Sequence, residues 1–157
     1  MQTPVKISEI VETMDMQSDE LSAYLDRRTG RILVVTGEEF DAAETGDALE
    51  DYPEWEHEQI EIAQQILSDE EGVYVRLPSR YEIHEWRIID DFARSIEDEH
   101  ISRDLQSAIR GTGAFRRFKD AIYRLGVAEQ WYSFKEQALR EIARAWCEKN
   151  GIPFEEG

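Results

Sequence analysis

The chain holds a single cysteine, Cys147, among its 157 residues, so no intrachain disulfide can staple it. Flanked by Ala145 and Trp146, that thiol is expected to be buried, which suits a reducing compartment. No apolar run approaches the roughly 20 residues needed to cross a bilayer. The N-terminal stretch Met1-Gln2-Thr3-Pro4-Val5-Lys6 lacks the apolar core of a signal peptide. These absences predict a cytoplasmic protein with no membrane partner.

Positive charge is also missing over a long stretch. Between Arg31 and Arg76 there is no lysine or arginine, and 14 acids fall in the gap. The formal net charge is −17, of which residues 1–78 carry −15 and residues 79–157 carry −2. Such a field repels nucleic acid and anionic membranes at long range and favours cationic partners.

Motifs for common chemistry are lacking too. The sequence has no phosphate-binding Gly-x-x-x-x-Gly-Lys, no dinucleotide fingerprint and no Gly-x-Ser-x-Gly elbow. His57, His84 and His100 form no His-Glu-x-x-His pair and read as solvated side chains among carboxylates. Residues 41–52 put Gly46 sixth, as a calcium loop does, but Ala43, Thr45 and Tyr52 stand where ligands belong. Adjacent carboxylates such as Asp90 and Asp91 point apart on a helix and make poor acid–base partners. Cys147 has no histidine near it in sequence to activate it as a nucleophile. No cofactor, metal or catalytic residue is expected; an undetected hydrolase or nuclease would need a histidine–carboxylate cluster built from distant positions.

What is present is an ordinary globular composition, 41% apolar and 10% aromatic, on about one domain's length. Ile7, Ile10, Val11 and Met14 have helical spacing, whereas Leu21, Ala23 and Leu25 alternate. With the β-branched run after Arg31 and the Asp26-to-Gly30 loop between, residues 20–36 read as a hairpin. Residues 73–77 predict a third strand, closed by Pro78. Residues 38–51, acidic and rich in small side chains, read as an exposed loop. Pro53 starts a helix whose buried face is expected to hold Trp55, Ile62, Ala63, Ile66 and Leu67.

Ser79-Arg80-Tyr81-Glu82 has a capping-box pattern leading into Ile83, Trp86, Ile89, Phe92, Ala93 and Ile96. Ile101, Leu105, Ala108 and Ile109 mark a shorter helix that Gly111 ends, and Phe115, Phe118, Ile122 and Leu125 mark the next. A last helix runs from Ala128 to the stop signal Asn150-Gly151-Ile152-Pro153. The expectation is an α+β protein: a small antiparallel sheet, hairpin 20–36 plus strand 73–77, packed by helices, with a helical C-terminal half. It is read as one domain over 1–157, with a sheet-containing acidic half (1–78), a helical half (79–152) and a short tail (153–157).

Inside this anionic molecule one cationic block survives. Residues 110–124 carry Arg110, Arg116, Arg117, Lys119 and Arg124 against one acid, Asp120. Gly111 and Gly113 free the backbone beside Thr112, so one helix can end and another begin at once. A helix start attracts phosphate or carboxylate, and three cations in its first turns oppose the dipole unless an anion is bound. The candidate anion-binding residues are therefore Thr112, Gly113, Arg116, Arg117, Lys119 and Arg124, with Phe115 and Phe118 as core anchors. The competing reading is structural: Asp120 lies three residues after Arg117 and four before Arg124, and the remaining cations can pair with the protein's own acids. Trp131, Tyr132 and Phe134 follow, and Tyr132 is the ring most free to stack on a base.

The segments Tyr24-Leu25-Asp26 with Thr29-Gly30, Tyr74-Val75-Arg76-Leu77-Pro78, Gly113-Ala114-Phe115-Arg116-Arg117-Phe118-Lys119-Asp120 and Trp131-Tyr132-Phe134-Lys135 together resemble uncharacterised protein family 0158, a bacterial group. Gly-Ala-Phe-Arg-Arg-Phe-Lys is the distinctive part. The resemblance implies a small bacterial intracellular protein with no assigned activity and transfers no catalytic residue. The functional expectation is non-catalytic binding or regulation, using the cationic block for an anionic ligand or nucleic acid. The alternative is an adaptor whose acidic half binds a basic protein.

Overall fold

In the computed structural model, residues 3–16, 20–46, 49–79 and 83–157 are described. They gather into two units, Met1–Ser79 with Ala143–Gly157, and Arg80–Ile142.

In the first unit, alternation and turn chemistry produce the sheet. Strands β2 (Leu21–Asp26) and β3 (Ile32–Thr36) pair antiparallel with Leu21 opposite Thr36 and Leu25 opposite Ile32. Strand β4 (Tyr74–Arg76) pairs antiparallel on the other edge of β2, giving the order β3-β2-β4. Ala23 and Leu25 are buried, as their period of two requires. The hairpin turn is tied by the buried Asp26: its carboxylate accepts the amide of Arg28 at 2.8 Å, and its carbonyl accepts the amide of Gly30 at 2.8 Å. Gly30 has φ +72°, and a Cβ there would meet the Thr3 carbonyl oxygen at 2.7 Å, so only glycine fits.

Around that sheet stand α1 (Ile7–Met16), which buries Ile7, Ile10, Val11 and Met14 as their spacing predicts, and α3 (Glu54–Leu67). Between β3 and α3 the expected loop is instead helix α2 (Gly37–Thr45), followed by a 3-10 turn at Leu49–Asp51. The reason lies in Thr36. Its hydroxyl accepts the Glu39 amide at 3.1 Å while the Glu39 carboxylate accepts the Thr36 amide at 2.8 Å, a reciprocal capping box. Glu38 and Glu39 then sit at the positive end of the dipole, which turns an acidic run from a liability into a helix start.

Helix α3 buries Ile60 and Ala63, and Gln59 donates to the Val34 carbonyl of β3 at 2.8 Å. Contrary to expectation, Trp55 is 76% exposed and Leu67 is exposed. Asp69 closes the turn before β4 by accepting the amides of Val73 and Tyr74 at 3.2 and 2.9 Å. Those amides, Tyr74's first, hold its carboxyl below the ordinary range.

A two-residue parallel pair, β1 (Val5–Lys6) with β5 (Phe154–Glu155), joins the two ends of the chain. Helix α7 (Ala128–Asn150) contributes its last turns to this unit. There Trp146 donates its indole N–H to the Arg76 carbonyl at 3.0 Å, and Arg27 donates to the Asn150 carbonyl at 2.8 Å. Cys147 is buried, and loss of hydration pushes its thiol up to about 11.

The second unit is helical: α4 (Glu85–Ser95), α5 (Glu99–Ala108), α6 (Ala114–Arg124) and the N-terminal part of α7. The expected capping box at Ser79–Glu82 falls largely on residues outside the described set. Asp98 caps α5, its carboxylate accepting the amides of His100 and Ile101 at 3.0 and 3.2 Å. The core is an aromatic cluster. The Phe92 ring lies 6.2 Å from Phe118, 5.4 Å from Trp131 and 5.4 Å from Phe134, centre to centre, and Phe118 meets Trp131 edge to face at 4.9 Å. Trp131 is thus a core residue, as its place in the helical stripe predicts. The observed class is α+β, with seven α-helices and the small antiparallel sheet among the described residues.

Candidate functional site

The last four carbonyls of an α-helix have no partner inside the helix. At the end of α5 the Leu105 and Ser107 carbonyls accept the backbone amides of Ile109 and Arg110, and side chains meet the Ala108 carbonyl and the linker beyond it. Arg117, one turn into α6, turns its guanidinium back onto the preceding linker. Its Nε donates to the Ala108 carbonyl at 2.9 Å, while Nη1 and Nη2 donate to the carbonyls of Thr112 and Arg110. Trp86 of α4 adds its indole N–H to the Ile109 carbonyl at 3.2 Å. Two side chains therefore satisfy the Ala108 carbonyl and three carbonyls of the linker.

The two glycines make this wrap possible. Gly111 and Gly113 have φ +76° and +78°, so the chain reverses in three residues. A Cβ on Gly113 would come within 3.3 Å of Nη1 of Arg117. Gly113 occupies the cap position of α6 without a side-chain cap, and its carbonyl accepts the Arg117 amide at 3.1 Å.

The six residues of the cationic block consequently divide. Thr112, Gly113 and Arg117 form the linker and its clamp. Arg116, Lys119 and Arg124 are exposed, and among the described residues none of their side chains has a hydrogen bond or an ion pair. Asp120 does not meet Arg117 or Arg124, so the expected ladder on this helix is absent among the described residues. The other helices of this unit do form such pairs: Arg94 with Asp90 at 3.1 Å, Arg103 with Glu99 at 3.8 Å, and Arg140 with Glu136 at 3.4 Å.

Around α6 the surface has two characters. On the side of α5, an open groove of about 570 Å³ is lined by Asp104, Ser107, Ala108, Arg117, Asp120, Ala121 and Arg124. Two carboxylates face two guanidiniums there, so the local field is mixed. The outer face carries Phe115, Arg116, Lys119 and Tyr123. Phe118 is buried as a core anchor, but Phe115 is 51% exposed, which corrects the expectation for that ring. The α6 core stripe is already complete with Ala114, Phe118, Ala121 and Ile122. Tyr123 and Tyr132 are exposed as well, and their hydroxyls lie 2.7 Å apart. That hydrogen bond is the largest cause raising the Tyr123 phenol above its ordinary value, against the pull of Lys119.

His57 bonds through Nε2 to the Tyr52 carbonyl at 2.9 Å, and His84 takes φ +51° at the start of α4. Among the described residues no group of three His, Cys, Asp or Glu side chains is placed to hold a metal ion, and no helix is long and apolar enough to cross a membrane.

The family model of an uncharacterised protein family, UPF0158, matches residues 2–156. The chain belongs to that family. It is also similar to a UPF0158 protein of Pseudomonas aeruginosa, 26% identical over 149 residues, which span 94% of this chain and 84% of that protein. No solved structure matches. The family description names no activity.

Proposed function

We propose that this UPF0158 protein is a non-catalytic binding or regulatory protein of the bacterial cytoplasm that takes an anionic ligand on the cations of α6. In this reading Arg116 and Lys119 neutralise the ligand and Arg124 extends the surface. Arg117, Thr112 and Gly113 hold the helix start in place rather than touching the ligand. One observation carries the reading: Arg116, Lys119 and Arg124 lack internal partners among the described residues, in a molecule of net charge −17 where 35 acids compete for 18 bases. In the first turn of α6 the dipole opposes Arg116 by about 0.3–1 kcal/mol, whereas Arg124 closes the last turn, where the dipole favours it. A bound anion reverses the sign at Arg116.

The test uses a base-free polyanion. A fluorescent heparin fragment titrated at low salt is expected to bind, with affinity falling as salt rises. Replacing Arg116→Glu and Lys119→Glu together is expected to weaken it at least about tenfold, since two charges are reversed at the contact. Failure of the wild-type protein to bind at low salt would contradict the reading.

A further inference from the structure

The outer face of α6 combines two features that the anion-binding reading alone does not require. Phe115, Lys119 and Tyr123 lie at i, i+4 and i+8, so they stack along one side of the helix. Arg116 sits three residues before Lys119 and seven before Tyr123, beside the same stripe. Phe115 is 51%, Tyr123 59% and Tyr132 49% exposed. Aromatic rings alternate with cations that have no partner among the described residues, over about 12 Å of helix at 1.5 Å per residue.

Two of the three rings are tied to each other. The Tyr123 and Tyr132 hydroxyls meet at 2.7 Å, which fixes a ring of α6 against a ring of α7. The same bond is the main cause that raises the Tyr123 phenol above its ordinary value, so it stays neutral to higher pH. Glu129 and Glu136 lie one turn to either side of Tyr132, and Glu136 is paired with Arg140.

We propose that this face binds single-stranded nucleic acid, with Phe115, Tyr123 and Tyr132 stacking on bases and Arg116 and Lys119 contacting phosphates. The proposal rests on the anion-binding reading and names its ligand class. Complementarity at the patch argues for this occupant, in the half of the chain that carries only −2 of the −17 net charge: a strand alternates apolar π-faces with anions, as the stripe alternates rings with cations. A duplex hides its base faces and offers phosphates alone. A second copy of the chain across a two-fold axis would set the same cations against each other. Phe115 has no hydrogen-bonding group, so recognition through it is sequence-tolerant.

The experiment measures binding by fluorescence anisotropy at low salt with three probes: a mixed single strand of about ten nucleotides, the duplex of the same sequence, and the heparin fragment. The single strand is expected to bind at least about tenfold tighter than the duplex. Phe115→Ala and Tyr132→Ala are each expected to weaken the single strand by about 5- to 100-fold, the range for losing one stacked base. Heparin affinity should stay unchanged in both variants, and Phe115→Trp should restore the single strand. Trp55→Ala, at a still more exposed ring among acids, should have no effect. Equal affinity for strand and duplex, insensitive to the two ring variants, would overturn the stacking proposal while heparin binding upheld the anion-binding reading. No binding of any probe would remove both. A concentration-dependent dimer in light scattering that Phe115→Ala dissociates would assign the face to a second copy and overturn the proposal.

Discussion

The first turn of α3 and the outer face of α6 both expose aromatic rings that a packed protein normally hides. On α3, Trp55 stands between Glu54 and Glu56, in a stretch without any base. On α6, Phe115 and Tyr123 stand beside Arg116 and Lys119. Each helix fills its core contacts with other residues, Ile60 and Ala63 on α3, and Ala114, Phe118, Ala121 and Ile122 on α6. The lesson is that exposure of a ring separates the two regions less than the charge around it does. A ring among acids suits a basic partner, whereas a ring among unpaired cations suits a base and its phosphate.

The sharpest way to break this comparison is to remove a ring that the fold does use. Phe118→Ala should destabilise the protein by about 3–5 kcal/mol, because it opens the contacts to Phe92 and Trp131. Phe115→Ala and Trp55→Ala should each stay within about 0.5 kcal/mol of wild type. Urea melts of the three variants check this, and a large cost for Phe115→Ala would return that ring to the core.

A smaller effect separates the two adjacent arginines. Arg117→Ala strips donors from the carbonyls of Ala108, Arg110 and Thr112, and should cost about 1–2 kcal/mol. Arg116→Ala removes no hydrogen bond among the described residues and should change stability by less than about 0.5 kcal/mol. Equal costs in thermal melts would mean that Arg116 is also part of the scaffold.

Much of the architecture was legible because period and punctuation agree. Leu21, Ala23 and Leu25 alternate up to a turn ending in Gly30, and the hairpin forms there. The run from Ala128 to Asn150 carries helix spacing up to a clear stop, and α7 has those bounds. Other elements were hidden for identifiable reasons. Residues 38–51 look like a solvated loop from composition, yet Thr36-x-x-Glu39 is a capping box, and that local signal outweighs acidity. The pairing of β1 with β5 involves two residues on each side, too few to show any period.

Trp55 and Phe115 were misplaced by one mechanism. Helical spacing tells which residues share a face, but the width of the buried stripe depends on the neighbouring elements. At the candidate site the cationic block and double glycine were visible, and so was Tyr132 as an available ring. That Arg117 clamps the linker was not, since no spacing rule pairs an arginine with backbone carbonyls five to nine residues earlier.

The central claim is that the outer face of α6 has charge and ring surface free for an external anion. Its most direct test is a two-dimensional NMR titration of the isotopically labelled protein with the single-stranded oligonucleotide. The account predicts shifts concentrated at Phe115, Arg116, Lys119, Tyr123 and Tyr132, with Arg117 Nε–H still bonded and little perturbed. Shifts that map instead to the acidic surface of α2 and α3, or none at all at saturating strand, would contradict it.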